Sequence, residues 1–95
     1  MSEENFKGEN KFFCKCCFYN TLVEYPRGTC EICEICFWED DRYQTENPFD
    51  NGGPNKVSLI QARKNFEQFG ACELEMKKNV RKPTNNDIRK IDAYN

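Results

Sequence analysis

The chain has 95 residues, enough for one compact domain and too few for two ordinary ones. Its mean hydropathy of -0.90 leaves little apolar surface for a core. No stretch approaches the roughly 20 apolar residues that a membrane-spanning helix needs. Residues 1–55 hold five basic and eleven acidic side chains, whereas residues 56–95 hold nine basic and five acidic ones. A domain with so small a core gains much of its stability from a metal ion or from disulfide bonds.

The compartment decides how the seven cysteines are interpreted. The N-terminal sequence Met-Ser-Glu-Glu-Asn is acidic and has no apolar run behind it, so we expect no secretory signal and a cytoplasmic location. Thiols stay reduced in the cytosol, where paired Cys-x-x-Cys spacings indicate a metal site. A disulfide framework is the alternative, although an odd number of cysteines leaves one of them unpaired.

Two cysteine pairs mark the N-terminal half of the chain. Cys14-x-x-Cys17 and Cys33-x-x-Cys36 are separated by fifteen residues, within the spacing range of zinc ribbons. Two residues between paired cysteines let a tight turn direct both sulfurs to one point, and two such turns supply a tetrahedron of thiolates. The spacing therefore predicts a structural zinc site with four ligands: Cys14, Cys17, Cys33 and Cys36.

Three further cysteines leave alternatives open. Cys30 and Cys33 also have the x-x spacing, so Cys30 is an alternative ligand to Cys36. Cys16 lies inside the first turn, and a larger iron–sulfur or two-metal cluster would use Cys16 and Cys30 together. Cys72 lies in a stretch of helical pattern, where a cysteine is more often a small buried residue than a ligand.

The segment between the two cysteine pairs predicts a β-hairpin. Residues 21–25 are rich in strand formers, a Pro-Arg-Gly turn follows, and residues 29–32 run back to the second pair. Phe37 and Trp38 continue as a third short strand. We therefore expect an α+β fold whose first part, residues 12–43, is a small zinc-ribbon-like antiparallel hairpin sheet.

The rest of this single domain predicts a loop over residues 44–57 and two or three short helices over residues 58–95. Ser58 is a candidate N-cap with Gln61 as its capping-box partner, and Gly70 is a candidate stop. Further helices are expected over residues 72–80 and after the candidate cap Thr84, the last with Ile88 and Ile91 on its inner face.

Several pieces of the chain resemble the bacterial cysteine-rich CPCC family, small proteins named for a Cys-Pro-Cys-Cys turn. The pieces follow the family's order from about residue 12 to residue 84. The resemblance implies a zinc-ribbon-like protein and brings no established activity with it. The matching pieces are Cys14-Lys15-Cys16-Cys17, Glu31-Ile32-Cys33-Glu34-Ile35-Cys36-Phe37-Trp38-Glu39-Asp40-Asp41, Asn51-Gly52-Gly53-Pro54-Asn55, Ser58-Leu59, Ala62-Arg63-Lys64-Asn65-Phe66, Phe69-Gly70-Ala71 and Val80-Arg81-Lys82-Pro83.

The chain departs from that family at four positions. Lys15 stands where the family has proline, and Phe18 where it usually has glycine. Cys30 occupies what looks like a tyrosine position, and Cys72 a position that is often serine. The resemblance therefore implies that Cys30 and Cys72 are extra cysteines, and that the ligands are the four cysteines of the paired spacings.

The composition argues against an enzyme. The sequence has no histidine, which removes Cys–His and Ser–His nucleophile pairs and every His-ligated catalytic metal site. A zinc ion with four cysteine ligands has no open position for water or substrate. Cys16 beside Lys15 is a candidate reactive thiol, although a packed thiol is the more ordinary interpretation. We expect no catalytic activity.

Two kinds of binding function remain. The acidic run Glu39, Asp40 and Asp41 is a candidate contact with a basic protein partner, with exposed aromatic side chains as anchors. An accessory or immunity-like role would suit such a module. The alternative is nucleic acid bound by a basic C-terminal helical face, although the acidic N-terminal half repels phosphate. The candidate nucleic-acid contacts are Lys77, Lys78, Arg81 and Lys82.

Overall fold

A computed structural model describes residues 11–90 of the chain. They include helices α1 (Arg42–Glu46) and α2 (Leu59–Phe69) and a 3₁₀ helix (Leu74–Asn79). Turns and bridged loops surround a buried cluster in which six of the eleven residues are cysteines, so the candidate ligands are themselves the core. None of the helices in this part of the chain has the length and apolar character to cross a membrane.

The expected antiparallel hairpin sheet does not form within residues 11–90, and that prediction is wrong. The α+β class expected from it is replaced by short helices joined by irregular chain. In the part of the chain that the structure describes, extended segments meet only at isolated antiparallel bridges, two of which each enclose one cysteine pair. The bridged pairs are Phe12 with Leu22, Ile32 with Glu39, and Tyr19 with Arg89.

The side chain of Glu31 takes hydrogen bonds that the first expected strand would have given to the backbone of the second. The amides of Val23 and Glu24 donate to the carboxylate of Glu31 at 2.8–3.4 Å. Cys30 has a φ of 68°, a left-handed conformation that ends an extended run. The two segments therefore form no ladder, because strand-forming residue types express a preference that context overrides.

Helix α1 lies partly in a segment that was expected to be loop. Asp41 is its N-cap, and the Asp41 carboxylate accepts a hydrogen bond from the Gln44 amide at 2.9 Å. The buried Gln44 side chain donates to the Val57 carbonyl at 3.1 Å and accepts from the amide and side chain of Asn55 at 3.1 and 2.9 Å. A buried polar side chain thus fixes the loop against the helix.

The expected start and stop of α2 are confirmed. The Ser58 hydroxyl accepts from the Gln61 amide at 3.1 Å, and Gly70 ends the helix in the left-handed conformation with a φ of 87°. Leu59 and Ala62, three residues apart, are buried at 1% and 0% exposure, as the helical spacing predicts. This face of α2 closes the cysteine core.

The two helices expected after α2 differ from the prediction. The first is the 3₁₀ helix, which is shorter than the expected residues 72–80. No helix follows Thr84 within the described residues. The chain makes a turn in which the Asp87 amide donates to the Thr84 carbonyl at 3.0 Å, and the Ile88 carbonyl then accepts from the Asn20 amide at 3.0 Å. Ile91, the other expected inner-face residue, lies outside the described residues.

Candidate metal centre

Four buried sulfur atoms meet in the core. The Sγ atoms of the four predicted ligands lie within 4.8 Å of one another, and two pairs of them are 3.6 Å apart. Zinc–sulfur bonds of about 2.3 Å place the sulfurs of a tetrahedral site about 3.8 Å apart, whereas a disulfide bond is about 2.05 Å long. The donor set and its spacing fit one metal ion. The ligand candidates are Cys14, Cys17, Cys33 and Cys36.

The two cysteine pairs lie in the same kind of turn, called here the first knuckle (residues 14–19) and the second knuckle (residues 33–38). In each knuckle the amide four residues after the first cysteine donates to that cysteine's carbonyl, at 2.9 and 2.8 Å. The donating residues, Phe18 and Phe37, have φ values of 67° and 73°. Left-handed backbone favours glycine, and this chain has phenylalanine at both positions.

Backbone amides donate to three of the four sulfurs, each across 3.4 Å. The Thr21 hydroxyl adds a contact of 3.0 Å to the Cys33 sulfur. Hydrogen bonds to the charged form favour that form, so these donors favour thiolates, the state that binds a metal. The amide–sulfur pairs are Cys16 to Cys14, Ile35 to Cys33 and Trp38 to Cys36.

The electrostatics of the four thiols also fit a cation. Burial raises the pKa of Cys17 and the pKa of Cys36. Hydrogen bonds from Cys14 and then from the other thiols lower the pKa of Cys33. The neighbouring thiols therefore favour the charged form of Cys33. A divalent cation at the centre of the four sulfurs would favour all four thiolates at once.

The other three cysteines lie outside this four-sulfur group. Cys30, an alternative ligand by sequence, is exposed, whereas Cys16 and Cys72 are 2% and 4% exposed. A hydrogen bond with Cys36 lowers the pKa of Cys16, but burial and neighbouring thiols outweigh it and the net shift is upward. Burial raises the pKa of Cys72 to about 12. A reactive thiol needs the opposite shift.

The acidic run is largely used inside the fold. Asp40 is 2% exposed, and its carboxylate accepts from the amides of Gly28 and Thr29 at 2.9 and 2.8 Å. Asp41 caps α1, and Glu39 is half-buried. A partner contact at these residues stays a prediction, with Asp40 the least accessible of the three.

The basic run is divided between ion pairs and the surface. Arg81 bonds Glu34 at 2.6 Å and Asp87 at 2.9 Å. The other three candidate nucleic-acid contacts are exposed and form no ion pair with a carboxylate of residues 11–90. A nucleic-acid contact there stays a prediction. The exposed residues are Lys77, Lys78 and Lys82.

Comparison with known proteins supplies the family. The model of the cysteine-rich CPCC family matches residues 12–87, which include both knuckles and α2. The chain belongs to the cysteine-rich CPCC family. The resemblance seen in the sequence is thereby confirmed, together with a cluster of four cysteines that can hold a metal ion. A search of curated proteins found no match to the chain.

Sequence reasoning missed the side chains that contact the knuckles of this CPCC-family protein from outside. Thr21 lies against the Cys33 sulfur, and Arg63 of α2 donates to the Lys15 carbonyl at 2.9 Å. Neither belongs to a cysteine spacing. The one available signal was the position of Arg63 in a piece that resembles the family.

Proposed function

We propose that the protein is a small, non-catalytic module that uses a structural four-cysteine zinc site to maintain a surface for a protein partner. The observation that carries the proposal is the group of four buried sulfurs within 4.8 Å of one another. Four thiolates around one ion suit zinc or iron. Zinc is favoured because it is the usual structural ion of paired Cys-x-x-Cys turns.

The absence of catalysis follows from the closed site. The four candidate ligand residues are at most 1% exposed, and their sulfurs would complete the tetrahedral coordination sphere of a zinc ion. Substrate or water would have to displace a ligand to reach the ion. The role of the metal is then to replace a hydrophobic core that is too small to stabilise the chain alone.

A partner surface is supported by exposed aromatic side chains in α1 and in the loop that follows it. Phe49 is 82% exposed and Tyr43 is 48% exposed. Glu46 and Asp50 border the same surface as Phe49. Aromatic anchors within an acidic surrounding suit a basic protein partner.

The zinc site is tested by native mass spectrometry of protein purified without added metal or affinity tag. We expect one zinc ion per chain, and we expect Cys33→Ser to lose both the zinc and the folded circular-dichroism spectrum. Cys30→Ser is the matched control, because it changes an exposed cysteine, and it should retain the ion. A metal-free wild-type chain with its mass lowered by thiol oxidation would contradict the proposal.

The partner surface is tested by placing a photo-crosslinking amino acid at Phe49 and, as a control, at Val23, which is 69% exposed. We expect a basic protein to be captured from the source cell at the first position alone. Equal capture at both positions, or retention on a heparin column that is lost when the exposed lysines are neutralised, would argue against this surface.

A further inference from the structure

The second knuckle is held from outside by backbone donors. The Glu34 carbonyl accepts from the Arg81 amide at 3.1 Å, and the Cys36 carbonyl accepts from the Cys72 amide at 2.7 Å. Both donors are neutral peptide groups. They belong to chain that follows α2, so the C-terminal part of the fold closes over this knuckle.

The first knuckle is held at the two equivalent carbonyls by arginine side chains instead. Arg63 Nε donates to the Lys15 carbonyl and Arg89 Nε donates to the Cys17 carbonyl, each at 2.9 Å. Lys15 and Cys17 occupy the places in the first Cys-x-x-Cys turn that Glu34 and Cys36 occupy in the second. The two knuckles therefore differ in the charge of their outer donors.

One peptide unit connects Arg63 to a ligand sulfur. The Lys15 carbonyl and the Cys16 amide belong to the same planar trans peptide, so they point in opposite directions. The Cys16 amide donates to the Cys14 sulfur across 3.4 Å. A donor on the carbonyl polarises the peptide and strengthens its N–H as a donor, and a charged guanidinium does so more than a neutral amide.

Arg63 also forms no ion pair within the described part of the chain. Arg89 is paired with Glu67, whereas no carboxylate of residues 11–90 forms an ion pair with Arg63. The guanidinium carbon of Arg63 lies 5.0 Å from the centre of the Phe18 ring, a stacked position that fixes its direction. One positive charge thus remains beside a site whose zinc and four thiolates sum to two negative charges.

We propose that Arg63 is a positioning residue of the metal centre. It strengthens the amide–sulfur hydrogen bond to Cys14 and offsets the charge of the four thiolates, and so slows the release of the metal from the first knuckle. This inference rests on the proposed zinc site. Outer hydrogen-bond partners of metal ligands commonly change metal affinity by about ten- to a hundredfold when they are removed.

The test compares Arg63→Met with Lys64→Met, a neighbouring and exposed position on α2. The first-order rate of zinc transfer to an excess of chelator is measured in the intact protein. We expect release about tenfold faster in Arg63→Met and unchanged in Lys64→Met. In the cobalt-substituted protein, the sulfur-to-metal charge-transfer band should move to lower energy in Arg63→Met alone, because its Cys14 thiolate loses part of its hydrogen bond.

Arg63→Lys separates the donor from simple packing, since it retains charge and one donor. In Arg63→Lys the energy of the charge-transfer band should return to the wild-type value, and the rate of zinc release should return most of the way to the wild-type rate. If Arg63→Met does not fold, Arg63→Gln takes its place, with a smaller change in the same direction.

A wild-type chain that holds no zinc would contradict the proposed function and this inference with it. A zinc-loaded wild type whose release rate and charge-transfer band are unchanged in the folded Arg63 variants would overturn the inference alone. Release from Arg63→Lys as fast as from Arg63→Met would overturn it too.

Discussion

At Gly53 the loop after α1 touches the buried side chain of Gln44. A Cβ atom at Gly53 would lie 2.7 Å from Gln44 Oε1. That oxygen accepts two hydrogen bonds from Asn55, so the side chain cannot move aside without losing them. Because Gly53 has no Cβ, the Gln44 amide can be buried beside it. Hydrophobic periodicity would not assign a glutamine to the core.

Gly53→Ala should lower the free energy of unfolding by about 1–3 kcal/mol, because overpacking forces the buried amide out of its hydrogen bonds. Gly52→Ala is the matched control: its Cβ would contact only the Asp50 carboxylate, at 3.3 Å on an exposed loop, so the change should be within about 0.5 kcal/mol. Urea unfolding of zinc-loaded protein measures both. Equal losses in the two variants would contradict the packing assigned to Gln44.

Residue identity predicted which four cysteines the structure brings together, because the turn within each pair is local. Two residues between cysteines suffice to aim the two sulfurs of one pair, whereas the meeting of the two pairs depends on the fold of the chain between and around them. The roles of Thr21 and Arg63 could not be predicted in this way, since each contact depends on how distant segments pack. Asp41 and Asp40 looked like a surface charge run, and only the fold shows one capping a helix and the other buried.

Among the elements, α2 was predictable and the sheet was not, because a helix bonds within its own segment whereas a strand depends on a second segment. Ser58 and Gly70 are local start and stop signals that act through the helix's own backbone. A strand needs a partner strand. The amides of Val23 and Glu24 instead donate hydrogen bonds to the Glu31 carboxylate. Single bridges around each knuckle were therefore left where a ladder had been expected.

The segment after the 3₁₀ helix is fastened to the second knuckle by an ion-pair network. Arg81 bonds Glu34 through Nε at 2.6 Å and Asp87 through both terminal nitrogens at 2.9 Å. The hydrogen bonds from Arg81, with others from Thr84, lower the pKa of Asp87 to about 2. Since the unfolded value is about 3.9, the stabilisation is fully present above about pH 4 and is lost as pH falls through about 2.

Asp87→Asn should lower the free energy of unfolding by about 1–2 kcal/mol near neutral pH, because it weakens charged hydrogen bonds to Arg81. The difference between variant and wild type should be the same at about pH 7 and about pH 5.5, since both values lie above the titration window of Asp87. Urea unfolding of zinc-loaded protein at each pH measures it. A difference that shrinks over that range would contradict the assigned pKa direction.

Over the whole molecule, the two halves of opposite charge meet at the knuckles. Three arginines from the basic half contact the acidic half: Arg63 and Arg89 at the first knuckle and Arg81 at the second. The sequence shows the division of charge between the halves, and only the fold shows where the two halves meet. In the proposed zinc-bound form, these arginines would offset the negative charge of the four thiolates.

X-ray absorption at the zinc edge shows how many cysteine sulfurs hold the proposed zinc ion. We expect four sulfur neighbours at about 2.3 Å, with no nitrogen or oxygen in the coordination sphere, in wild type and in Cys30→Ser alike. Fewer than four sulfurs, a light-atom ligand, or protein that retains no zinc at all would contradict this expectation.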